Sequence, residues 1–342
     1  MGLKRSAIIA VGGPRAHGLA DAYGHIRRAQ LVAVSTRRHD KLEAFGDKYG
    51  VDSRYTDYRE MLANEKPDLV HVNTPPSVRL EILAEAEAAG VAAVLVEKPV
   101  ALQGEDFLAI RDFAKTAQMK IAVNHQLHFH PRRLQLQNLV RDGAIGEVRF
   151  IEASSGMSLA YQGTHILQAI GAFIPGATPV RVFAQVSGAN GLVETPKHHY
   201  APDHCLASIN YDNGVSAILR GGEIAPRVID GPINKHKRIT VYGSQGHVHW
   251  NMHGWETVVG NTRASGEHSY AEEDLLGQAA TTEAMIDWLD DDRAIHPLNI
   301  DTALREFNIV LGFYQSGLAH AIVRLSEDPP PDLLARLRER LG

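Results

Sequence analysis

Lys98 closes the run Val91-Ala92-Ala93-Val94-Leu95-Val96-Glu97 and is followed by Pro99. A continuous apolar run of this kind reads as a strand covered on both faces by helices. In open α/β sheets, ligands sit just beyond the carboxyl ends of such strands. The amine of Lys98 therefore stands where a parallel sheet meets its ligand, on backbone that Pro99 restricts; the alternative is a strand-ending lysine in water. A second candidate is the turn Val11-Gly12-Gly13-Pro14-Arg15-Ala16-His17-Gly18 after the first strand. Its glycines let the backbone approach a pyrophosphate, whose charge would face the amides of a helix starting near Pro14. Against G-x-G-x-x-G/A the best register is Val11, Gly13 and Ala16, which lacks the first glycine, so a plain strand-to-helix turn stays open.

The end of the second strand discriminates further. Folds selective for NAD place a carboxylate there for the ribose hydroxyls, whereas this chain reads Val34-Ser35-Thr36-Arg37-Arg38. Hydroxyls on Ser35 and Thr36 and the guanidinium of Arg37 or Arg38 suit a 2′-phosphate. NADP(H) is therefore favoured over NAD(H). The 18 histidines raise the question of a metal. His125-x-x-His128-x-His130 and His247-x-His249 with His253 have ligand-like spacing, but no cysteine or acid set completes a shell, and no metal is expected. Lys197-His198-His199-Tyr200 forms a polar loop that can bring hydrogen-bonding groups, His199 among them, over a pocket; a solvated connection is the other reading. Trp250 and Trp255 can stack on a sugar ring or a neighbouring subunit, with core packing as the default.

The elements that must position these residues follow from periodicity. Strand-like segments at Ser6 to Val11, Leu31 to Ser35, Leu69 to Asn73, Val91 to Val96 and Lys120 to Val123 alternate with helical patterns. Ser77 is placed to cap a helix carrying Leu80, Leu83 and Ala86, with Gly90 as its stop. Such alternation means βαβ units and a parallel sheet. After about Asn124 the texture changes to period-two strands around Val148 to Ala153, Val180 to Val186, Ala207 to Tyr211, Val215 to Arg220 and Arg238 to Tyr242. Asp212-Asn213-Gly214 marks a hairpin. Helices follow from Glu272 to Leu289 and from Thr302 to Leu318.

A chain of 342 residues allows about two domains. We read residues 1–123 as an N-terminal Rossmann domain, a doubly wound parallel sheet, and residues 124–342 as an α+β domain with a large, mostly antiparallel open sheet for substrate and oligomer contacts. A C-terminal helix is free to pack back on the first domain. The net charge is −5, and the pairs Arg27-Arg28, Arg37-Arg38 and Arg132-Arg133 are scattered, which argues against nucleic acid as a partner. No run approaches a membrane span, the N-terminus lacks a signal-like pattern, and the single cysteine, Cys205, cannot form an internal disulfide, so a reducing cytoplasm is expected.

Thr74-Pro75-Pro76 ends one strand and Lys98-Pro99 the next. Together with Gly143-Ala144-Ile145-Gly146-Glu147-Val148 and Gly163-Thr164-His165, these residues resemble the glucose-fructose oxidoreductase and inositol dehydrogenase family, Gfo/Idh/MocA. The resemblance implies hydride transfer between a nicotinamide cofactor and a sugar, polyol or related hydroxy-carbonyl compound, by a homodimer or homotetramer built through the C-terminal sheet. It implies that Lys98 lies beside the nicotinamide and the substrate hydroxyl, often with a cis Lys98-Pro99 bond, and that His165 exchanges the substrate proton. Gly12, Gly13, Pro14, Arg15, Ala16, Ser35, Thr36, Arg37, Arg38, Thr74, Pro75, Glu97 and Lys98 would hold the dinucleotide. His128 would contact the substrate, as would His199.

The chain departs from the family pattern beside the histidine. Acids common four residues before and three after it are here Tyr161 and Gln168. On a helix Tyr161 and His165 would share a face, making the phenol a candidate acid/base. The missing acids also keep open a relative that uses tightly bound cofactor for glycosidase or lyase chemistry without net redox change. A ligand sensor without catalysis is the third reading.

Overall fold

The computed structural model describes residues 2–194, 199–227, 230–233 and 236–342, so Lys197 and His198 of the polar loop lie outside the described residues. The chain begins β1 (Lys4–Ile9), α1 (Pro14–Ala22), β2 (Ala29–Ser35), α2 (His39–Tyr49), β3 (Ser53–Tyr55), α3 (Tyr58–Glu65), β4 (Leu69–Val72), α4 (Arg79–Ala88), β5 (Ala93–Glu97), α5 (Gly104–Ala114) and β6 (Lys120–Asn124). It continues α6 (Pro131–Arg141), β7 (Val148–Ser155), a π-helical turn (Leu159–Gly163), α7 (Thr164–Phe173), β8 (Pro179–Ser187), β9 (His204–Tyr211) and β10 (Ser216–Gly221). Then come β11 (Lys237–Gly243), β12 (Gly246–Asn251), β13 (Gly254–Val259), β14 (Thr262–Glu267), α8 (Tyr270–Asp290), α9 (Ile300–Ala319), β15 (Val323–Arg324) and α10 (Leu333–Leu341).

Two compact units result, one holding the residues up to Val100 with Ala109–Phe129 and Asp274–Ala303, the other holding Ala101–Leu108, His130–Glu273 and Leu304–Gly342. In the first, six strands run in the order β3-β2-β1-β4-β5-β6, all pairings parallel. The order reverses between β1 and β4, which opens a crevice at the carboxyl ends of the strands. All of β4, His71 included, and all but the last residue of β5 are buried, as strands covered on both faces require. On one side Ala16, Leu19, Leu42 and Phe45 pack on Ile8 and Val34. Helix α8, late in the chain, belongs to this unit from Asp274 on: Met285 packs with Leu69, Leu95 and Ala122, and Ile286 with Ala22 and Ile26.

The second unit is built on a nine-stranded sheet, β14-β13-β12-β11-β7-β10-β9-β8-β15, in which β7 and β10 are the parallel neighbours. Pairing keeps alternate residues on one face. Ala153, Leu219, Ala207, Ile239 and Trp250 share the buried face, whereas Phe183, Ser208, Ile218, Glu152, Thr240, His249 and Glu256 follow one another across the open one.

Some local expectations change. Ser77 sits in a 3-10 turn (Pro76–Val78) and Val78 takes the cap position of α4, because Pro75 and Pro76 tighten the chain before the helix begins. Strand β1 stops at Ile9 instead of Val11, since Ala10 adopts a left-handed backbone, φ 69°. Strand β14 was invisible in the sequence because every residue of Thr-Arg-Ala-Ser-Gly-Glu is exposed and none alternates apolar with polar.

Candidate active site

The first unit gathers the predicted nucleotide residues at the carboxyl ends of β1, β2, β4 and β5. The amides of Ala10 and Val11 donate to the carbonyl of Ser35 at 2.8 and 3.1 Å, and the amide of Asn73 donates to that of Ile9 at 3.1 Å. Gly13 is the N-cap of α1, with no side-chain cap and with Pro14 as the first helical residue. A Cβ on Gly13 would meet nothing within 4 Å, and one on Gly12 would stand 3.4 Å from Thr36 Oγ1, so the glycine turn and the end of β2 adjoin. Ala16 is buried against Ile8. Left-handed backbone is required at Ala10, one residue before the best motif register, and costs a non-glycine residue about 1 kcal/mol.

A bound dinucleotide would need donors and acceptors that the protein leaves unpaired. Ser35 Oγ, Asn73 Oδ1 and Thr74 Oγ1 are buried without a hydrogen-bond partner. The amides at the start of α1 are likewise uncapped by any side chain. An oxygen-rich diphosphate and its riboses fit this set. Arg37 is exposed, and Arg38, also exposed, reaches Asp40 at 3.1 Å.

Around Lys98 the polar groups are mutually engaged. The Lys98-Pro99 peptide bond is cis. Glu97 accepts from Arg15 Nε at 3.1 Å and from Asn124 Nδ2 at 2.7 Å. Arg15 also donates to Gln278 at 2.8 Å and lies 3.6 Å from Asp274, both on α8. Arg79 is fully buried; its guanidinium donates to the carbonyl of Glu97 and, at 2.9 Å, to that of Thr74. Loss of hydration pulls the Lys98 amine down to about 8, with Glu97 opposing that shift and Arg15 adding to it. Burial likewise brings Arg79 to about 10, against the pull of Glu97. His128 is half-buried, its ring 4.8 Å from that of Phe129.

The second unit holds the other candidates. His165, buried, is the second residue of α7. Tyr161 lies in the π-helical turn before it, where a Cβ on Gly163 would come within 2.8 Å of Leu159 Cδ2. The π-turn means Tyr161 and His165 are not an i, i+4 pair of one α-helix, as the sequence suggested. The phenol ring instead stacks on His199, centroids 4.6 Å apart and planes 20° from parallel. Gln168, buried, accepts from Arg133 Nη2 at 3.4 Å. Arg133 is itself buried, its guanidinium 5.2 Å from the centre of the Trp250 ring. Burial lowers it to about 9 and drives the Glu306 carboxyl well above its ordinary range; each partly restores the other.

Among the described residues, the histidines with metal-like spacing join no group of three or more histidine, cysteine or acidic side chains that could hold a metal ion. His125 and His128 belong to the first unit and His130 to the second. His247 and His249 are alternate residues on the open sheet face, at 3.1 Å from Glu256 and 2.8 Å from Thr240. Trp250 is buried core, and Trp255 carries the guanidinium of Arg132 at 4.3 Å.

Sequence reading missed Arg79, Asn124, Asp274, Gln278, Arg133 and Glu306. Only Arg79 left a signal, because a cation opening a helix opposes the macrodipole and calls for a reason. Asp274 and Gln278 are i, i+4 neighbours on a helix some 260 residues beyond Arg15, a juxtaposition no local pattern encodes.

A parallel sheet of order 3-2-1-4-5-6 with a glycine turn and unpaired oxygens at its reversal point defines a dinucleotide-binding Rossmann protein. Residues 4–125 match the family described as oxidoreductase family, NAD-binding Rossmann fold. Over these residues the chain is similar to the Gfo/Idh/MocA oxidoreductases. Over 125 residues it is 30% identical to D-apiose dehydrogenase of Paraburkholderia graminis, spanning 36% of this chain and 33% of that protein. Over 144 residues it is 32% identical to D-glucoside 3-dehydrogenase of Escherichia coli K12, 42% of this chain and 41% of that protein. The sequence match thus covers well under half the length of either relative. An oxidoreductase from Agrobacterium radiobacter, crystallised with NAD+, L-tartaric acid and magnesium, shares the fold with a TM-score of 0.80 at 19% identity, over 94% of this chain and 98% of that one.

Proposed function

We propose that this protein is an NADP(H)-dependent oxidoreductase acting on a sugar, polyol or related hydroxy-carbonyl compound. The observation that carries the reading is Lys98, a desolvated amine at the end of β5 in the unit whose other strand ends leave Ser35, Asn73 and Thr74 oxygens unpaired. The nicotinamide, when bound, takes or returns the hydride. Lys98, protonated at neutral pH, orients the substrate oxygen and stabilises the charge that develops on it. His165, aided or replaced by Tyr161, moves the hydroxyl proton. His128 and His199 contact the substrate. Gly12, Gly13, Pro14 and Ala16 give the pyrophosphate its turn, and Thr74 and Pro75 border the dinucleotide. Glu97 and Arg15 act on it through Lys98.

The NADP(H) preference rests on Ser35, Thr36, Arg37 and Arg38, with no carboxylate at the end of β2. The substrate class is supported by the names of the two relatives, both sugar dehydrogenases. Residues 1–123 serve the cofactor and 124–342 the substrate. Phe183, Leu206 and Tyr242, exposed on the open sheet face, support a homodimer or homotetramer there. The lone thiol, Cys205, is buried and suits a reducing cytoplasm. No helix among the described residues is long and apolar enough to cross a membrane.

Two titrations test the reading. Protein fluorescence should report tighter binding of NADPH than of NADH, and equal or tighter NADH binding overturns the role given to Arg37. A panel of aldoses, ketoses and polyols should then include at least one that changes nicotinamide absorbance; silence across the panel refutes the dehydrogenase.

A further inference from the structure

We propose that Arg79 is a positioning residue for Lys98, a buried clamp that joins the turn leaving β4 to the turn leaving β5. The proposal rests on the role given to Lys98 above. Both turns are stiffened by proline: Thr74 precedes Pro75-Pro76, and Glu97-Lys98 precedes Pro99. Proline has no amide hydrogen, so these turns are short of main-chain donors for their own carbonyls. One guanidinium supplies what is missing, donating from Nη1 to Glu97 O and from Nη2 to Thr74 O. Its planar fork is the chemistry for two acceptors held at a fixed separation, and an ammonium cannot reproduce it.

The location is an expensive one for a cation. Arg79 opens α4, where the macrodipole disfavours positive charge, and it is completely removed from water. An apolar residue of similar volume would avoid both costs. What the arginine supplies is registration of two neighbouring turns, one bearing the unpaired Thr74 hydroxyl and the other bearing Lys98. Arg79 acts through position, by holding the main chain of the turn that bears Lys98.

The test uses the full chain with Arg79→Lys, Arg79→Gln and Lys98→Met. Acylation of Lys98 by acetic anhydride, followed by peptide mass analysis across pH without cofactor, reads the environment of the amine independently of turnover. In Arg79→Lys the turn loses one anchor, so the labelling midpoint should rise toward that of an ordinary lysine. Turnover should fall roughly 100-fold with substrate KM changed by less than about threefold, as for a displaced catalytic group. Arg79→Gln, neutral and therefore free of the burial cost, serves if the lysine variant does not fold, and should show the same pair of changes. Wild-type labelling and wild-type kcat in either folded variant overturn the clamp. If Lys98→Met keeps its turnover, the catalytic role of Lys98 fails instead, and the labelling profile alone then decides whether Arg79 positions that side chain.

Discussion

The turn that carries Lys98 and the helix that carries His165 are built on opposite plans. Around Lys98, Glu97 is bound by Arg15 and Asn124, Arg15 by Gln278 and Asp274, and the two proline turns by Arg79. Around His165, position 161 holds a phenol stacked on His199 and position 168 an amide that accepts from a buried arginine. The first arrangement uses charge to fix one side chain in place. In the second, the positive charge of Arg133 faces the Gln168 amide and, one helix away, a Glu306 carboxyl pushed toward its neutral form by burial. One candidate is thus surrounded by charged partners and the other by neutral ones, although both lie in polar settings.

Removing Lys98 should give the largest effect and would break the comparison if it did not. Lys98→Met is expected to lower kcat/KM by roughly 100- to 1000-fold, the range for losing a group that stabilises developing charge. The same variant should be more stable than wild type. The folded-state value near 8 lies below the ordinary lysine value, so the charged amine is disfavoured by folding. The stability gained on its removal is full below pH 8, fades as pH rises from there, and is gone above about pH 10.4, where both states are neutral. Chemical denaturation at pH 7 and pH 10 should show a difference of roughly 1–3 kcal/mol at the lower pH and little at the higher. A Lys98→Met less stable than wild type at pH 7 would mean that the contacts of the amine outweigh its loss of hydration.

Gln168→Glu sharpens the other side. A carboxylate there faces Arg133 across 3.4 Å and should form a charge-assisted pair, raising stability by about 1 kcal/mol. Turnover should rise severalfold if the missing acid limits His165. Unchanged pH–rate profiles with raised stability would show that residue 168 belongs to the packing of α7 alone. The smallest effect belongs to Ala10→Gly, which relieves a left-handed non-glycine backbone and should stabilise the chain by about 1 kcal/mol or slightly less, read as a shift in urea midpoint at constant slope.

Much of this was written in the chain. The apolar run of β5, the glycines at 143 and 214 with their positive φ, and the alternation of β7 to β11 are local patterns, legible because helix and strand have different periods. Lys98, His165 and the end of β2 can be singled out as candidates because strand ends and motif order are one-dimensional facts. The left-handed Ala10 cannot, since alanine carries no mark of the conformation its neighbours impose.

The sequence by itself determined a parallel sheet followed by an open one, the lysine at a strand terminus and the absence of an acid after β2. Tertiary structure decided which groups meet there: Arg79 under two turns, Asp274 and Gln278 returning from α8 to Arg15, and Arg133 against Gln168. Those meetings depend on packing between separate elements, whose mutual approach is set by burial of whole elements and leaves no spacing in the sequence to read.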